Sequence, residues 1–410
     1  MASKPKETDI FVAGGGMVGL TAALALAQGG LKVALADPLS RADVTAASFD
    51  GRVSALNYST VRMYRALGVW RHLEPEAQPI NDIMVTDAPL DRAASPFSLH
   101  FDHGEVGEPL GFMVENRHIR KGLFAAADAT GNLELIFGVH ATDISTATDH
   151  ASVTLNNGDQ ITARAAVAAD GRNSQLREAI GIDTVSWEYD QHGIVTVVTH
   201  ARPHQGVAYE HFQPSGPFAI LPMTGNRSAL VWTERSALAP KIMALPAGEF
   251  TAEVARRFGA HLGAMEANGQ RWSYPLRFHL ARSYVRPRFA LVGDAAHGIH
   301  PIAGQGLNLG LKDAAALAET ILDAARLGLD YGSEDVLQRY ERWRRFDSFV
   351  LGAATDGLNR LFSNDAAPVR LARDLGLGVV DGIGPLRRFF MRQAGGELGQ
   401  LPRLLKGEAA

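Results

Sequence analysis

The sequence predicts an α/β protein, α+β overall, with a parallel-sheet unit, an antiparallel-sheet unit and a C-terminal helical region. Three observations predict it. Residues 9–37, DIFVAGGGMVGLTAALALAQGGLKVALAD, run as apolar strand, glycine-rich turn, Ala/Leu helix and second strand. Residues 186–274 change character to short alternating strands such as GIVTVVTH, GVAYEHFQ, PFAILPM and SALVWTE, separated by Pro, Gly and Asn turns; that is the pattern of antiparallel sheet. Residues 331–362 are charged and helical.

Composition narrows the function classes. A chain of 410 residues that is 46% hydrophobic holds two or more packed units with a large core. A net charge of −4 argues against a nucleic-acid partner, which leaves a strongly basic signature. There are no cysteines, so any electron transfer must be carried by a bound cofactor. The N-terminus MASKPKETD lacks a signal-peptide core and no run of about 18 apolar residues occurs. A cytoplasmic protein is expected, with peripheral contact at the inner membrane surface left open.

In the first element, Gly14, Gly16 and Gly19 form G-x-G-x-x-G between the strand at 10–13 and a helix, the context of a Rossmann-like dinucleotide site. Gly14 serves the tight turn, Gly16 the backbone approach to a pyrophosphate and Gly19 the helix-to-strand packing. Asp37, ending the second strand, is placed to accept from a ribose; its charge disfavours NADP and leaves FAD or NAD. Arg52, just ahead of a helix, can neutralise a pyrophosphate or lie beside a flavin. Residues 78–104 read as an excursion into a second layer. Arg117 stands at the mouth of a helix beginning near Asn116, and Asn157-Gly158 signals a hairpin turn.

Two further motifs follow apolar strands. Residues 170–177 read D-G-x-x-S-x-x-R, with Asp170 and Gly171 at the strand end. Residues 289–313, FALVGDAAHGIHPIAGQGLNLGLKD, place Gly293 and Asp294 at a sheet edge, then a small-residue loop with Pro301 and Gly304, then a helix opening near Gly306 to Asn308. A helix mouth of that kind presents backbone N–H groups and a positive dipole end to an electron-rich ligand. In the antiparallel unit, Phe218, Ile220, Leu221 and Trp232 are expected to wall a pocket over a flat cofactor. Tyr209 and His211 are candidate general bases by residue type alone. His297 and His300 have metal-like spacing without a carboxylate-rich pattern nearby, so loop and cofactor packing is expected and no metal site. The tail from residue 376 mixes Leu, Phe and Met with Arg387, Arg388, Arg392, Arg403 and Lys406. It reads either as a helix docked on its own protein or as a membrane or partner contact.

With these three motifs in one chain, the sequence resembles the single-component flavin aromatic hydroxylases of the para-hydroxybenzoate hydroxylase-like superfamily. The runs VENRHIRKGL, QPSGPFAILPM with LVWTE, HPIAGQGLNLGLKD and LPRLLKG resemble the ubiquinone-biosynthesis hydroxylases within it. The resemblance implies an FAD-dependent monooxygenase acting on the ring of a polyprenyl phenol through a flavin hydroperoxide, formed from O2 after reduction by NAD(P)H. It implies cofactor contacts from Gly14, Gly16, Met17, Val18, Gly19, Asp37, Arg52, Arg117, Asp170, Gly171, Gly293, Asp294, Pro301, Gly304, Gln305, Gly306, Leu307 and Asn308. By analogy, the Pro301 carbonyl also positions the reacting oxygen. The implied organisation is a discontinuous FAD-binding domain at 1–77, 105–185 and 275–330, a substrate domain at 78–104 and 186–274, and the helical region at 331–410. A ubiquinone-biosynthesis complex is an implied partner. The alternatives are a hydroxylase of a small soluble aromatic and a weakly active flavin-bearing structural member of such an assembly.

Overall fold

A computed structural model describes residues 5–46, 49, 51–87, 98–105, 107–267, 269–363, 391, 395–397 and 399–410. The tail positions Arg387, Arg388 and Arg392 lie outside the described residues.

The first sheet carries the parallel strands in the order Phe289–Leu291, Gln160–Ala168, Lys6–Ala13, Val33–Asp37, Leu133–Phe137. Ile10, Phe11 and Val12 are fully buried on both phases of the strand, as expected where helices cover both faces. Chain order reverses across Lys6–Ala13, whose neighbours are Val33–Asp37 on one side and Gln160–Ala168 on the other. A crevice opens at such a switch point, beyond the carboxyl ends of the strands. Helices Met17–Gln28 and Gly306–Arg326 pack together; a Cβ at Gly29 would meet the Leu322 side chain at 2.4 Å.

The second sheet has nine strands among the described residues, including Thr184–His200, Val207–Gln213, Gly216–Met223, Arg227–Arg235 and Trp272–Ala281. Asp82–Asp87 joins it in parallel with Val207–Gln213 and pairs with Ser98–Asp102, so two strands from the excursion at 78–104 complete this sheet. Trp272–Ala281 crosses residue 274 without a break because it pairs along Thr184–His200. One face of the sheet is sealed by helix Ala247–Phe258, with Phe218, Ile220, Leu230, Trp232, Phe250 and Val254 in a dry cluster. The other face turns toward a small sheet of Val53–Asn57, Gly111–Glu115 and Gln78–Ile80.

The long helix Glu334–Phe362 closes one side, and Phe362 stacks on Phe212 at 3.8 Å between ring centroids. At the end of the tail, Arg403–Lys406 buries Leu404 and Leu405 against helices Tyr58–Ala66 and Gly306–Arg326. Arg403 pairs with Glu319 and Asp323. This part of the tail therefore docks on its own protein.

Candidate active site

At the switch point the glycine-rich turn is built by backbone crowding. Gly14 has φ +101°, and a Cβ there would lie 2.4 Å from the Ala169 carbonyl oxygen. Gly16 faces open space, with no atom within 4 Å of the same construction. Helix Met17–Gln28 starts at Gly16 with no side-chain cap, and its first backbone bond runs from Leu20 N–H to the Gly16 carbonyl at 2.9 Å. The amides of Met17, Val18 and Gly19 thus point out of the helix mouth. Met17 is half-buried there. Val18 is wedged under Gly293 and Gly310, whose added Cβ atoms would meet it at 3.1 and 2.9 Å. Its side chain packs the site, so only its amide is available to a ligand.

Asp37 is buried, and its two oxygens already accept the Gly15 N–H at 2.6 Å and the Leu39 N–H at 2.9 Å. The carboxylate therefore holds the turn in shape and keeps a lone pair on each oxygen for a ribose. Asp37→Ala is expected to weaken FAD retention roughly ten- to hundredfold, each charge-assisted bond contributing on the order of 1.5–3 kcal/mol. Equilibrium dialysis against FAD checks it; occupancy equal to wild type would remove Asp37 from the site.

The second helix mouth is at Gly306–Arg326, which also lacks a side-chain cap. Its first internal bond runs from Leu309 N–H to the Gln305 carbonyl at 2.9 Å, leaving the amides of Gly306, Leu307 and Asn308 directed outward. The Asn308 side chain is engaged at both ends: Oδ1 accepts from Asn57 N–H at 3.2 Å and Thr60 Oγ1 at 3.0 Å, and Nδ2 donates to the Ala55 carbonyl at 2.8 Å. It bolts the helix start to strand Val53–Asn57. The Pro301 carbonyl accepts the Gly304 N–H at 3.0 Å, which leaves one lone pair for a ligand.

The D-G-x-x-S-x-x-R run ties these mouths together. Ser174 Oγ caps the following helix at Arg177 N–H, 3.0 Å away. Arg177 is buried and donates to the carbonyls of Ala295 at 2.9 Å and Arg172 at 3.0 Å. Asp170 Oδ2 accepts from Leu176 N–H at 3.3 Å, while its buried Oδ1 has no partner. Burial pushes the Asp170 carboxyl up. Asp294 is exposed at the sheet edge, with its carbonyl accepting from His279 Nε2 at 2.8 Å. Arg52 is exposed and its carbonyl takes the Asn116 N–H at 3.0 Å. Arg117 is clamped by Glu115 at 2.7 Å and lies over the Phe49 ring. Glu115 also pairs with Arg227 at 3.1 Å, joining the small sheet to the antiparallel one.

The structure turns Tyr209 and His211 away from this crevice. Both lie on the face of Val207–Gln213 that packs under helix Ala247–Phe258, where Tyr209 meets the His261 ring at 4.5 Å and His211 Nδ1 bonds Thr86 Oγ1 at 2.7 Å. Burial beside His261 drives His211 down to about 4. Phe218, Ile220 and Trp232 share that sealed face; of the four expected pocket walls only Leu221 looks toward the crevice, beside Val53 and Ala55. The residues of Val207–Gln213 that do face it are Ala208, Glu210 and Phe212, of which Glu210 alone is polar. A cavity of about 290 Å³, lined among others by Phe49, Val197, Arg227 and Trp272, opens on this face.

His297 and His300 are committed to protein partners. His297 Nε2 meets Asp313 Oδ2 at 2.5 Å, and His300 lies 3.3 Å from Gln191 Oε1. Asp313 also accepts from Gly293 N–H at 3.1 Å and Arg344 Nε at 2.9 Å, all without solvent exposure for Asp313 and Arg344. This buried network supports the Gly293 turn from beneath. Burial alone would raise Asp313, but the charges and hydrogen bonds of His297 and Arg344 outweigh it and hold the carboxyl below its usual range.

Two uncapped helix mouths, an open glycine and an orphan buried carboxylate oxygen at a switch point make the architecture of a dinucleotide-binding α/β protein, and they fit FAD. More particularly, the chain belongs to the FAD binding domain family, whose model matches residues 7–347. It is 48% identical over 408 residues to ubiquinone hydroxylase UbiL of Rhodospirillum rubrum, covering 99% of this chain and 94% of that one. It is 33% identical over 404 residues to 3-demethoxyubiquinol 3-hydroxylase of Escherichia coli, covering 96% and 99%. Human ubiquinone biosynthesis monooxygenase COQ6 is 30% identical over 440 residues, covering 95% and 93%. Among solved structures, p-nitrophenol 4-monooxygenase PnpA from Pseudomonas putida superposes with a TM-score of 0.79 at 19% identity, covering 97% of this chain and 100% of that one, and shares the fold.

Proposed function

We propose that the protein is an FAD-dependent monooxygenase that hydroxylates the aromatic ring of a polyprenyl phenol in ubiquinone biosynthesis, with NAD(P)H as electron donor and O2 as co-substrate. The observation that carries it is the crevice itself, where two helix mouths without side-chain caps lie side by side and the second is bolted to strand Val53–Asn57, which packs on the Leu221 face of the antiparallel sheet. Identity to ubiquinone hydroxylases along nearly the whole chain supports the substrate class.

Bound FAD supplies hydride acceptance and oxygen activation; the chain supplies binding, orientation and dryness. The mouth at Met17 to Gly19 holds the pyrophosphate, Asp37 the ribose, and the amides of Gly306, Leu307 and Asn308 the electron-rich edge of the flavin ring. The apolar residues Val85, Val231 and Leu221 exclude water from the reacting ring. Peripheral contact with a membrane surface belongs to the same reading, because a polyprenyl chain partitions into lipid. Exposed Phe346, Phe349 and Val350 on helix Glu334–Phe362 offer apolar side chains for it. No helix among the described residues is long and apolar enough to cross a membrane.

The test is a visible spectrum of protein purified without added cofactor, followed by assay of a prenylated phenol with donor and O2. Released FAD and a ring-hydroxylated product are expected. A colourless protein that takes up no added FAD would overturn the reading. Phe346→Glu with Phe349→Glu should lower co-sedimentation with anionic vesicles severalfold while leaving FAD occupancy unchanged; equal sedimentation would remove that surface from the membrane contact.

A further inference from the structure

We propose that Glu210 is the catalytic base that takes the proton of the substrate phenol, a role that rests on the phenol hydroxylase reading above. Its placement follows from register. Glu210 is paired to Ala219 across one strand boundary and to Val85 across the other, and Ala219 is paired in turn to Val231. Directly paired residues share a face, so this row is Val85, Glu210, Ala219 and Val231. Two residues along the strand on either side stand Ala208 and Phe212. Ala208 clusters with Met113, Val53, Ala55 and Leu221, and Phe212 with Leu99, Phe101 and Phe362. Glu210 therefore sits between two apolar clusters on the face turned to strand Val53–Asn57, to which the mouth of helix Gly306–Arg326 is bolted by Asn308.

The carboxyl is also uncommitted. Among the described residues it has no hydrogen bond or ion pair, yet it is half-buried rather than sealed, so its oxygens look into space that a ligand can fill. A lone carboxyl in an apolar wall destabilises the fold unless something uses it. The ionisable residues on the same face of its sheet are Asp87 on one flanking strand and Arg227 and Arg235 two strands away, and Glu115 of the small sheet is paired to Arg117 and Arg227. None of these moves its titration: burial alone pushes Glu210 up to about 8. That value lies close to working pH and nearer to a phenol than an ordinary carboxylate is, which favours proton transfer.

In the step, the phenol O–H bond breaks, the proton goes to a Glu210 carboxylate oxygen, and the electron pair stays on the phenol oxygen and spreads to the ortho and para carbons. Those carbons become the nucleophiles of oxygen transfer. As the ring carbon takes up OH the O–O bond of the activated dioxygen would break, and on re-aromatisation the ring C–H proton would go to the oxygen left behind while Glu210 returns its proton to the phenol oxygen, which restores the carboxylate.

The experiment compares FAD-loaded wild type, Glu210→Gln and Glu210→Asp, using a phenol with a single prenyl unit in detergent micelles. Glu210→Gln is expected to keep its flavin spectrum and to lose about a hundredfold or more of hydroxylated product formation. Wild-type product formation should climb through pH 8 and the Gln variant should lack that limb; Glu210→Asp should recover part of both. A second readout needs no turnover. A carboxyl raised in the folded state makes wild type lose stability between pH 4.5 and about 8 relative to the Gln variant, so the gap in their urea midpoints should widen with pH over that window. If wild type hydroxylates and Glu210→Gln matches it within threefold with the same pH limb, Glu210 is not the base and the hydroxylase reading stands. If FAD-loaded wild type yields no hydroxylated phenol, both fall together.

Discussion

Arg344→Met is expected to destabilise the FAD-loaded protein by about 3–5 kcal/mol in urea unfolding, the range for breaking a buried ion pair from one side. Asp313 and Arg344 have no solvent exposure, and the pair is joined by Nε to Oδ1 at 2.9 Å. Removing the guanidinium leaves a carboxylate that water cannot reach, with only His297 and the Gly293 amide to hold it. The sign of the pH dependence follows. Asp313 is depressed in the folded state, so it stabilises the fold above its ordinary value of 3.8, and that stability is lost as pH falls through the lower folded value. In Arg344→Met the acid limb should move to higher pH. Asp313→Asn in the same background should recover part of the loss, giving a double-mutant coupling on the order of 1–3 kcal/mol. A loss under about 1 kcal/mol for Arg344→Met would mean that the network carries little of the support of the Gly293 turn.

That network shows where sequence stops being informative. The strands of the parallel sheet are legible because their burial on both faces leaves continuous apolar runs, and the turn at Gly14 to Gly19 is legible because backbone approach demands glycine at fixed spacing. Asp313 and Arg344 are 31 residues apart on two helices, and nothing local in either marks a buried charge. Asp82–Asp87 pairs with a strand more than a hundred residues later, a contact set by tertiary packing rather than by any turn.

The two faces of Val207–Gln213 are not legible in the sequence for a related reason. VAYEHFQ has apolar and polar residues on both phases, so alternation cannot say which phase looks at the crevice, and residue type alone points to Tyr209 and His211. The available signal is Glu210 itself: on the Ala208 and Phe212 phase of a strand covered on both sides, a single carboxyl is out of place in a merely structural wall. The two motif helices have the opposite property. Their function resides in backbone amides, so a sequence pattern that specifies backbone shape also specifies the site.

Gly16 and Gly19, three residues apart, should separate folding from cofactor binding. A Cβ at Gly19 would lie 2.0 Å from the Gly14 carbonyl oxygen and 3.0 Å from the Ala169 Cβ. The first of these is backbone in the tight turn and cannot rotate aside, so Gly19→Ala must push helix Met17–Gln28 off the sheet. A loss of about 1–3 kcal/mol or more is expected from overpacking, together with loss of FAD. Gly16 differs in both respects. Its φ of −65° and ψ of 175° suit any L-residue, and no protein atom lies within 4 Å of an added Cβ. Gly16→Ala should therefore unfold in urea like wild type when both are stripped of cofactor. The space that the methyl enters is the space the pyrophosphate needs, so its FAD affinity should fall at least tenfold, or about 1.4 kcal/mol. Wild-type FAD affinity in Gly16→Ala would place the pyrophosphate elsewhere, whereas lost stability in that variant would mean that the open side of the turn is packed by protein rather than reserved for ligand.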